Sequence, residues 1–155
     1  MFFLIPEPLL QPILRHAEKE YPRECCGIIF SRGGRPDEWV RVRPCRNVQD
    51  EYHAADPGHF SRDSRTAYFM DPRELLEVQK EARDRGEQMR VIYHSHIESA
   101  AYFSGEDARM ALADGSPSGE PVYPGVDYLV LSVIQGKVKD KHLFHWDPQQ
   151  RKFVS

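Results

Sequence analysis

The chain reads as an α/β protein, a mixed sheet sandwiched between helices in a three-layer α-β-α arrangement, and three observations predict it. Apolar residues recur at helical spacing in three separate stretches. Compact apolar runs of strand length stand between and after them. The resulting order is helix, strand, strand, helix, strand, helix and then strands, the alternation that builds a sheet covered on both faces. With 155 residues, a single domain spanning 1–155 is expected, long enough to bury a core without staples.

Each element has its own signal. Leu9, Leu10, Ile13, Leu14 and Ala17 share one helical stripe, which predicts a helix from Pro8 to Glu20 with Pro22 helping to stop it. Cys26 to Phe30 is a compact apolar run. Trp39, Val40 and Val42 suggest a second strand, and Gly33, Gly34 and Pro36 supply the turn of a hairpin between the two. From Arg46 to Thr66 the chain is polar, with Asp56-Pro57-Gly58 as a turn signal, and this segment is expected to be the mobile one. Tyr68 to Met70 reads as a short extended piece. Pro72 behind Asp71 starts a helix that runs through Leu75, Leu76, Val78 and Ala82 to a stop near Gly86. Met89 to His96 follows as a strand.

The segment from Ser104 to Asp114 reads as a helix, with Gly115 just past its end. Gly115 to Gly125, rich in Ser, Pro and Gly, is a loop. Tyr128 to Ile134 is a continuous apolar run of the kind found in a central strand covered on both faces. His142 to Trp146 and Lys152 to Val154 complete the strands.

Composition narrows the function classes. A net charge of −3 with both signs interspersed, and no basic run, excludes a polyanion-binding signature, so nucleic acid is not an expected partner. Met1 to Ile5 are apolar, but Pro6 and Glu7 interrupt them, which fits neither a signal peptide nor a spanning helix. A cytoplasmic protein without a membrane partner is expected. The three cysteines include the adjacent pair Cys25 and Cys26, an odd count that suits reduced thiols better than a disulfide framework.

The most informative residues are His94, Ser95 and His96, followed by Ser104 and Asp107. On a strand, side chains at i and i+2 project to one face, so both imidazoles can reach one metal ion. An aspartate returned by the next element can complete three protein ligands. Three ligands with one open position is the pattern of a catalytic zinc site. From the chain's own residue frequencies, this spacing arises by chance on the order of once in a thousand such sequences. The parts are less specific than the whole: Ser104 with Asp107 also reads as an ordinary helix cap, and two alternate histidines as solvated strand residues. In the predicted fold these residues sit at the carboxyl end of a strand and the amino end of the next helix, where α/β proteins commonly carry sites.

At these positions the chain resembles the JAMM family, also called MPN-plus, of zinc metallopeptidases and isopeptidases. The family signature is a distant Glu, then His-Ser/Thr-His, seven residues, Ser, two residues and Asp, and every position is present. Glu24-Cys25-Cys26-Gly27 looks like the family's Glu-x-Cys-Gly start of a core strand, and Tyr68 to Pro72 looks like the segment before its second helix. The resemblance implies an MPN, or cytidine-deaminase-like, fold. It implies His94, His96 and Asp107 as ligands of Zn2+, Glu24 as general base and Ser104 as donor to the developing oxyanion. A glutamate between a helix and a strand is otherwise usually a solvated charge, and it is the adjoining Cys-Cys-Gly match that singles out Glu24. One departure is Ile97, where many members carry Pro after the second His.

With little room for added segments, the chain looks more like the small prokaryotic members, which act on ubiquitin-like sulfur-carrier proteins at or beyond a C-terminal Gly-Gly. The resemblance thus implies a carrier protein as substrate and partner, with a homodimer left open. Two other readings stand beside it: a noncatalytic MPN scaffold, and a general zinc-dependent peptidase on short peptides. Cys26 as a thiol nucleophile is weaker, because cysteine on an apolar strand is usually buried and inert. His53, His59, His142 and His145 read as solvated or core-edge residues, and His16 carries no assignment.

Overall fold

The computed structural model describes residues 4–155, so Met1, Phe2 and Phe3 of the apolar start lie outside it. Its elements keep the predicted order with one helix, α2, added in the polar stretch: α1 (Glu7–Glu20), β1 (Cys26–Arg32), β2 (Arg35–Cys45), α2 (Gln49–Ala55), α3 (Pro72–Arg85), β3 (Glu87–Ile97), α4 (Gly105–Ala111), β4 (Asp127–Ile134), β5 (Lys137–Asp147) and β6 (Lys152–Val154). The six strands form one sheet in the order β2-β1-β3-β4-β5-β6. Only β3 and β4 pair in parallel, joined by the crossover through α4, and the other pairings are antiparallel. The sheet is therefore mixed, as predicted.

Alternation along the strands sorts their side chains between two cores. On one face Leu10, Ile13 and Ala17 of α1 pack on Ile29, Val91, Tyr93, Leu129, Leu131 and Val133. On the other, Val78 and Ala82 of α3 and Ala111 of α4 pack on Cys26, Ile28, Phe30, Ile92 and Tyr128. These are the two helical layers. Six successive residues of β4, Tyr128 to Val133, are buried, because this strand lies under helices on both sides.

Local chemistry sets the element ends. The Asp71 carboxylate accepts the Arg73 N–H at 3.0 Å, Pro72 stands at the first helical position, and Gly86 closes α3 in the left-handed region at φ 67°. β4 turns into β5 at Gln135-Gly136, where φ is 49° and then 82°, the pair of positive values that a two-residue hairpin turn requires.

Several boundaries differ from expectation for identifiable reasons. β5 begins at Lys137, five residues before the predicted start, because the polar run Lys139 to Lys141 lies on an exposed part of the sheet and carries no apolar signal. The helix predicted through Asp114 ends at Ala111. Leu112 turns extended to bridge Pro121 and bury its side chain, and Ala113–Gly115 forms a separate 3-10 turn. The polar stretch expected to be mobile contains α2 and is tied down by its own polar groups. Asn47 donates to the Glu24 and Ala67 carbonyls and accepts from the N–H groups of Gln49 and Phe69. Asp50 accepts from both the N–H and hydroxyl of Ser64 at 2.7 Å. Tyr52, Phe60 and Phe69 add a small aromatic cluster.

Gly27 stands opposite Tyr93 in the β1–β3 register, and a Cβ at Gly27 would lie 2.3 Å from the Tyr93 ring. The ring cannot swing aside, since Tyr93 is fully buried and its hydroxyl bonds His16 Nδ1 at 2.8 Å. Gly27→Ala is therefore expected to destabilise the protein by about 1–3 kcal/mol through overpacking, measured by urea unfolding. Unchanged stability would mean that the ring relaxes freely.

Candidate metal centre

β3 carries His94 and His96 to its carboxyl end on the face covered by α3 and α4. The chain then turns through residues 98–104 and brings back Asp107 in the first turn of α4. His94 Nε2 lies 3.0 Å from one Asp107 carboxylate oxygen, His96 Nε2 lies 3.0 Å from the other, and the two imidazole nitrogens are 3.4 Å apart. All three side chains are buried, and their candidate ligand atoms lie within 4.8 Å of one another.

Each ligand is held from behind. His96 Nδ1 donates to the Ala100 carbonyl at 2.9 Å; a carbonyl can only accept, so Nε2 is left with its lone pair facing the cluster. The His94 ring stacks on Tyr68 at 4.5 Å between centroids. Its Nδ1 is buried with no hydrogen-bond partner, so aromatic packing rather than a second hydrogen bond orients this ring. Asp107 is fixed by a reciprocal cap: Ser104 Oγ accepts the Asp107 N–H, and the Asp107 carboxylate accepts the Ser104 N–H, both at 3.0 Å. Ser104 thus does the capping work, while its hydroxyl proton stays available for donation.

The donor set fits a metal ion. Two imidazole nitrogens and a carboxylate meet at hydrogen-bond distance, and acceptors so arranged repel unless a proton or a cation lies among them. Without metal, protons take that role. Burial alone would push the Asp107 carboxyl up, but the His94 and His96 imidazoles hold it well below the usual carboxylate range. Burial works most strongly on His96 and would lower it, yet the hydrogen bond to Asp107, the Asp107 charge and the Ala100 carbonyl together outweigh it and raise the imidazole. Nitrogen and oxygen donors with no thiolate suit a divalent transition-metal ion, zinc among them.

Ser95, between the two histidines, points to the opposite face. Its hydroxyl accepts the Cys25 N–H at 2.8 Å, and its own N–H donates to the Cys25 carbonyl at 3.2 Å. Extending the register from Cys26 opposite His94 then sets Glu24 opposite His96. Further bonds pin the Glu24 backbone: its N–H donates to the Ser64 carbonyl at 2.7 Å, and its carbonyl accepts from Asn47 at 2.9 Å. The Glu24 side chain is only 4 % exposed. Burial, reinforced by the Asp107 carboxylate, pushes its carboxyl up to about 9. A positive charge held by the three ligands favours its ionised form.

The predicted ligands therefore converge, with Ser104 at Asp107 and Glu24 across the strand pair from His96. Tyr68, Ala100, Asn47 and the orientation of Ser95 escaped the sequence reading, because a backbone carbonyl and a stacked ring leave no spacing signal. Ile97, in place of the common proline, completes β3 beside Val133 and packs into the α1-side core. The cysteines are buried free thiols; burial pushes Cys25 up to about 12 and Cys26 well above its usual value, which leaves no thiolate for catalysis. His59 and His142 bond Asp56 and Asp140 at the surface, and His53 bonds the Phe60 carbonyl.

Glu24 gives the metal-free protein a pH signature. Burial pushes its folded carboxyl up to about 9 against 4.5 for the free group, so the native state keeps a proton that the unfolded chain releases between those values. Stability then falls as pH rises through that window, by up to about 1.4 kcal/mol per unit. Raised His96 adds to the decline above its usual value, whereas Asp107 acts only at lower pH, being ionised in both states above about pH 4. Melting of the metal-free Glu24→Gln variant is expected to fall less between pH 5 and 8 than that of the wild type. Parallel curves would mean that Glu24 is solvated.

Comparison with known proteins agrees with this geometry. A family model described as prokaryotic homologs of the JAB domain matches residues 6–148. Proteins from Mycobacterium bovis and Mycobacterium tuberculosis named CysO-cysteine peptidase are 31% identical over 108 residues, covering 70% of this chain and 64% of theirs. The match thus spans a little under two thirds of these relatives' length. Among solved structures, a protein from Desulfitobacterium hafniense superposes with a TM-score of 0.58 at 27% identity, covering 88% of this chain and 86% of the other. One from Salinibacter ruber gives 0.56 at 18% identity, covering 97% and 85%, and supports the fold alone. A six-stranded mixed sheet, a buried His-His-Asp cluster and a family match along nearly the whole length lead to one conclusion: the chain belongs to the prokaryotic homologs of the JAB domain.

Proposed function

We propose that this protein is a zinc-dependent peptidase or isopeptidase that hydrolyses an amide bond at or beyond the C-terminal Gly-Gly of a ubiquitin-like sulfur-carrier protein. The observation that carries the reading is the buried convergence of His94, His96 and Asp107 with Glu24 across the strand pair. The name of the mycobacterial relatives supports a carrier-linked amino acid as the substrate class. Retention of all three ligands argues against a noncatalytic scaffold.

His94, His96 and Asp107 would hold the ion. Zinc there supplies a Lewis acid that acidifies water and polarises the scissile carbonyl. Glu24, as carboxylate, takes the proton from the attacking water and delivers it to the leaving amine, so that one buried group serves both steps. The Ser104 hydroxyl donates to the oxyanion that develops on the scissile carbonyl. Tyr68 and the Ala100 carbonyl keep the two imidazoles in place, so that little reorganisation is needed during reaction. A glycine pair suits the approach, because an extended segment without side chains can pass a narrow channel.

Purified protein is expected to contain about one zinc per chain and to lose hydrolysis on chelation while resisting thiol alkylation, as read by metal analysis and mass spectrometry of carrier fusions. Absence of bindable zinc would favour the scaffold. Glu24→Gln should keep the metal and abolish turnover; surviving turnover would remove Glu24 as the base. Ser104→Ala should slow kcat by about 10²-fold or more, and a negligible effect would leave Ser104 only its cap.

A further inference from the structure

A cleft of about 400 Å³ opens beside the first turn of α4, lined in part by Gln49, Phe60, Arg62, Phe69, Glu106 and Arg109. Its position is tied to the site through the chain itself. Glu106 precedes the ligand Asp107 in α4, and Phe69 follows Tyr68, which stacks on His94.

The cleft holds two arginines in different states. Arg109 is neutralised by its bond to the neighbouring Glu106 carboxylate. Arg62 joins no ion pair among the described residues, and its side chain makes only a long 3.4 Å bond to the Thr66 carbonyl. Its backbone is nevertheless fixed, since the buried Gln49 side chain donates to the Arg62 carbonyl at 2.8 Å. The Arg62 charge is felt at the reacting groups: it acts on the Glu24 carboxyl in opposition to Asp107 and Glu106. The cleft is thus lined in part by aromatic rings and holds one cation outside any ion pair among the described residues, close enough for its charge to act on Glu24.

We propose that Arg62 is the specificity residue of this cleft, pairing with the α-carboxylate of the amino acid or short tail that hydrolysis releases. The inference rests on the peptidase reading above. When a single C-terminal residue is cut off, its carboxylate is only two bonds from the amine that leaves, so a group that recognises it must stand close to the catalytic residues. A planar guanidinium matches a carboxylate through two parallel hydrogen bonds. An amine supplied by a lysine in the middle of another chain brings no carboxylate to that place. Arg62 therefore selects tails that end near the cut over branched conjugates.

The test uses two probes, acetyl-Gly-Gly-Ala as the free acid and as its carboxamide. Their binding to the full-length, zinc-loaded Glu24→Gln protein is measured by NMR titration. The acid is expected to bind about tenfold more tightly than the amide, the scale of one charged hydrogen bond. In Arg62→Ala the two probes should bind alike. Arg62→Lys should keep part of the preference, since it retains the charge without the fork. Position 24 carries no charge in this variant, so an effect exerted only through the Glu24 carboxylate is absent from the comparison, and a merely structural role of Arg62 would weaken both probes together and leave the preference standing. Equal binding of acid and amide before Arg62 is changed, or a preference that survives Arg62→Ala, overturns the proposal. An intact, Arg62-dependent preference in a protein that cleaves no carrier fusion upholds the carboxylate site and rejects the peptidase reading.

Discussion

The constraint on which the rest depends is the meeting of two imidazoles and a carboxylate in a buried space, at 3.0 to 3.4 Å from one another. Three polar groups with lone pairs facing inward are a costly arrangement for a protein interior. A surface loop would let them separate into water. Here β3 and α4 hold them together, because β3 is a central strand and α4 is anchored by Ala111 in the core. Binding free energy for a cation is thus prepared at the folding stage, as a cluster that only a proton or a metal ion can relieve.

The β1–β3 pairing carries this constraint across the sheet. Ser95 clamps Cys25 on the face opposite the ligands, so a slip of one residue in this register would move Glu24 away from His96. Gly27 leaves room for Tyr93, and Tyr93 reaches His16 of α1. Positions with no metal-ligating chemistry therefore decide where Glu24 stands. Asn47 extends the same control to the polar connection, bonding Glu24, Ala67, Gln49 and Phe69 at once.

What the sequence disclosed and what it withheld follow from the range of the interactions. The stripe of α1, the capping of α3 by Asp71 and Gly86, and the continuous run of β4 are local signals, and each appears where expected. The ligand spacing was legible because a strand's two-residue period makes His94 and His96 neighbours in space without any knowledge of the fold. Glu24 was legible only through its family resemblance, since 70 residues separate it from His94 and nothing local distinguishes it from a solvated charge. α2 was missed because polar residues that staple a segment look the same, in sequence, as polar residues that solvate it. The early end of α4 was missed for the opposite reason: the helical pattern continues through Leu112, but the long-range bridge to Pro121 prevails.

Burial of Glu24 links the stability of the protein to its chemistry. The same desolvation that pushes its carboxyl up to about 9 leaves it neutral near pH 7 in the metal-free protein and unfit to accept a proton. A cation among His94, His96 and Asp107 acts against that desolvation, and it also replaces the protons that otherwise screen the three ligands. Metal binding and ionisation of Glu24 are therefore two sides of one equilibrium: each makes the other more favourable, by the reciprocity that governs any pair of linked sites. A solvent-exposed glutamate would be ionised at all times and would gain nothing from the metal. By keeping the carboxylate dry, the fold ties the ionisation of Glu24 to the charge gathered at His94, His96 and Asp107.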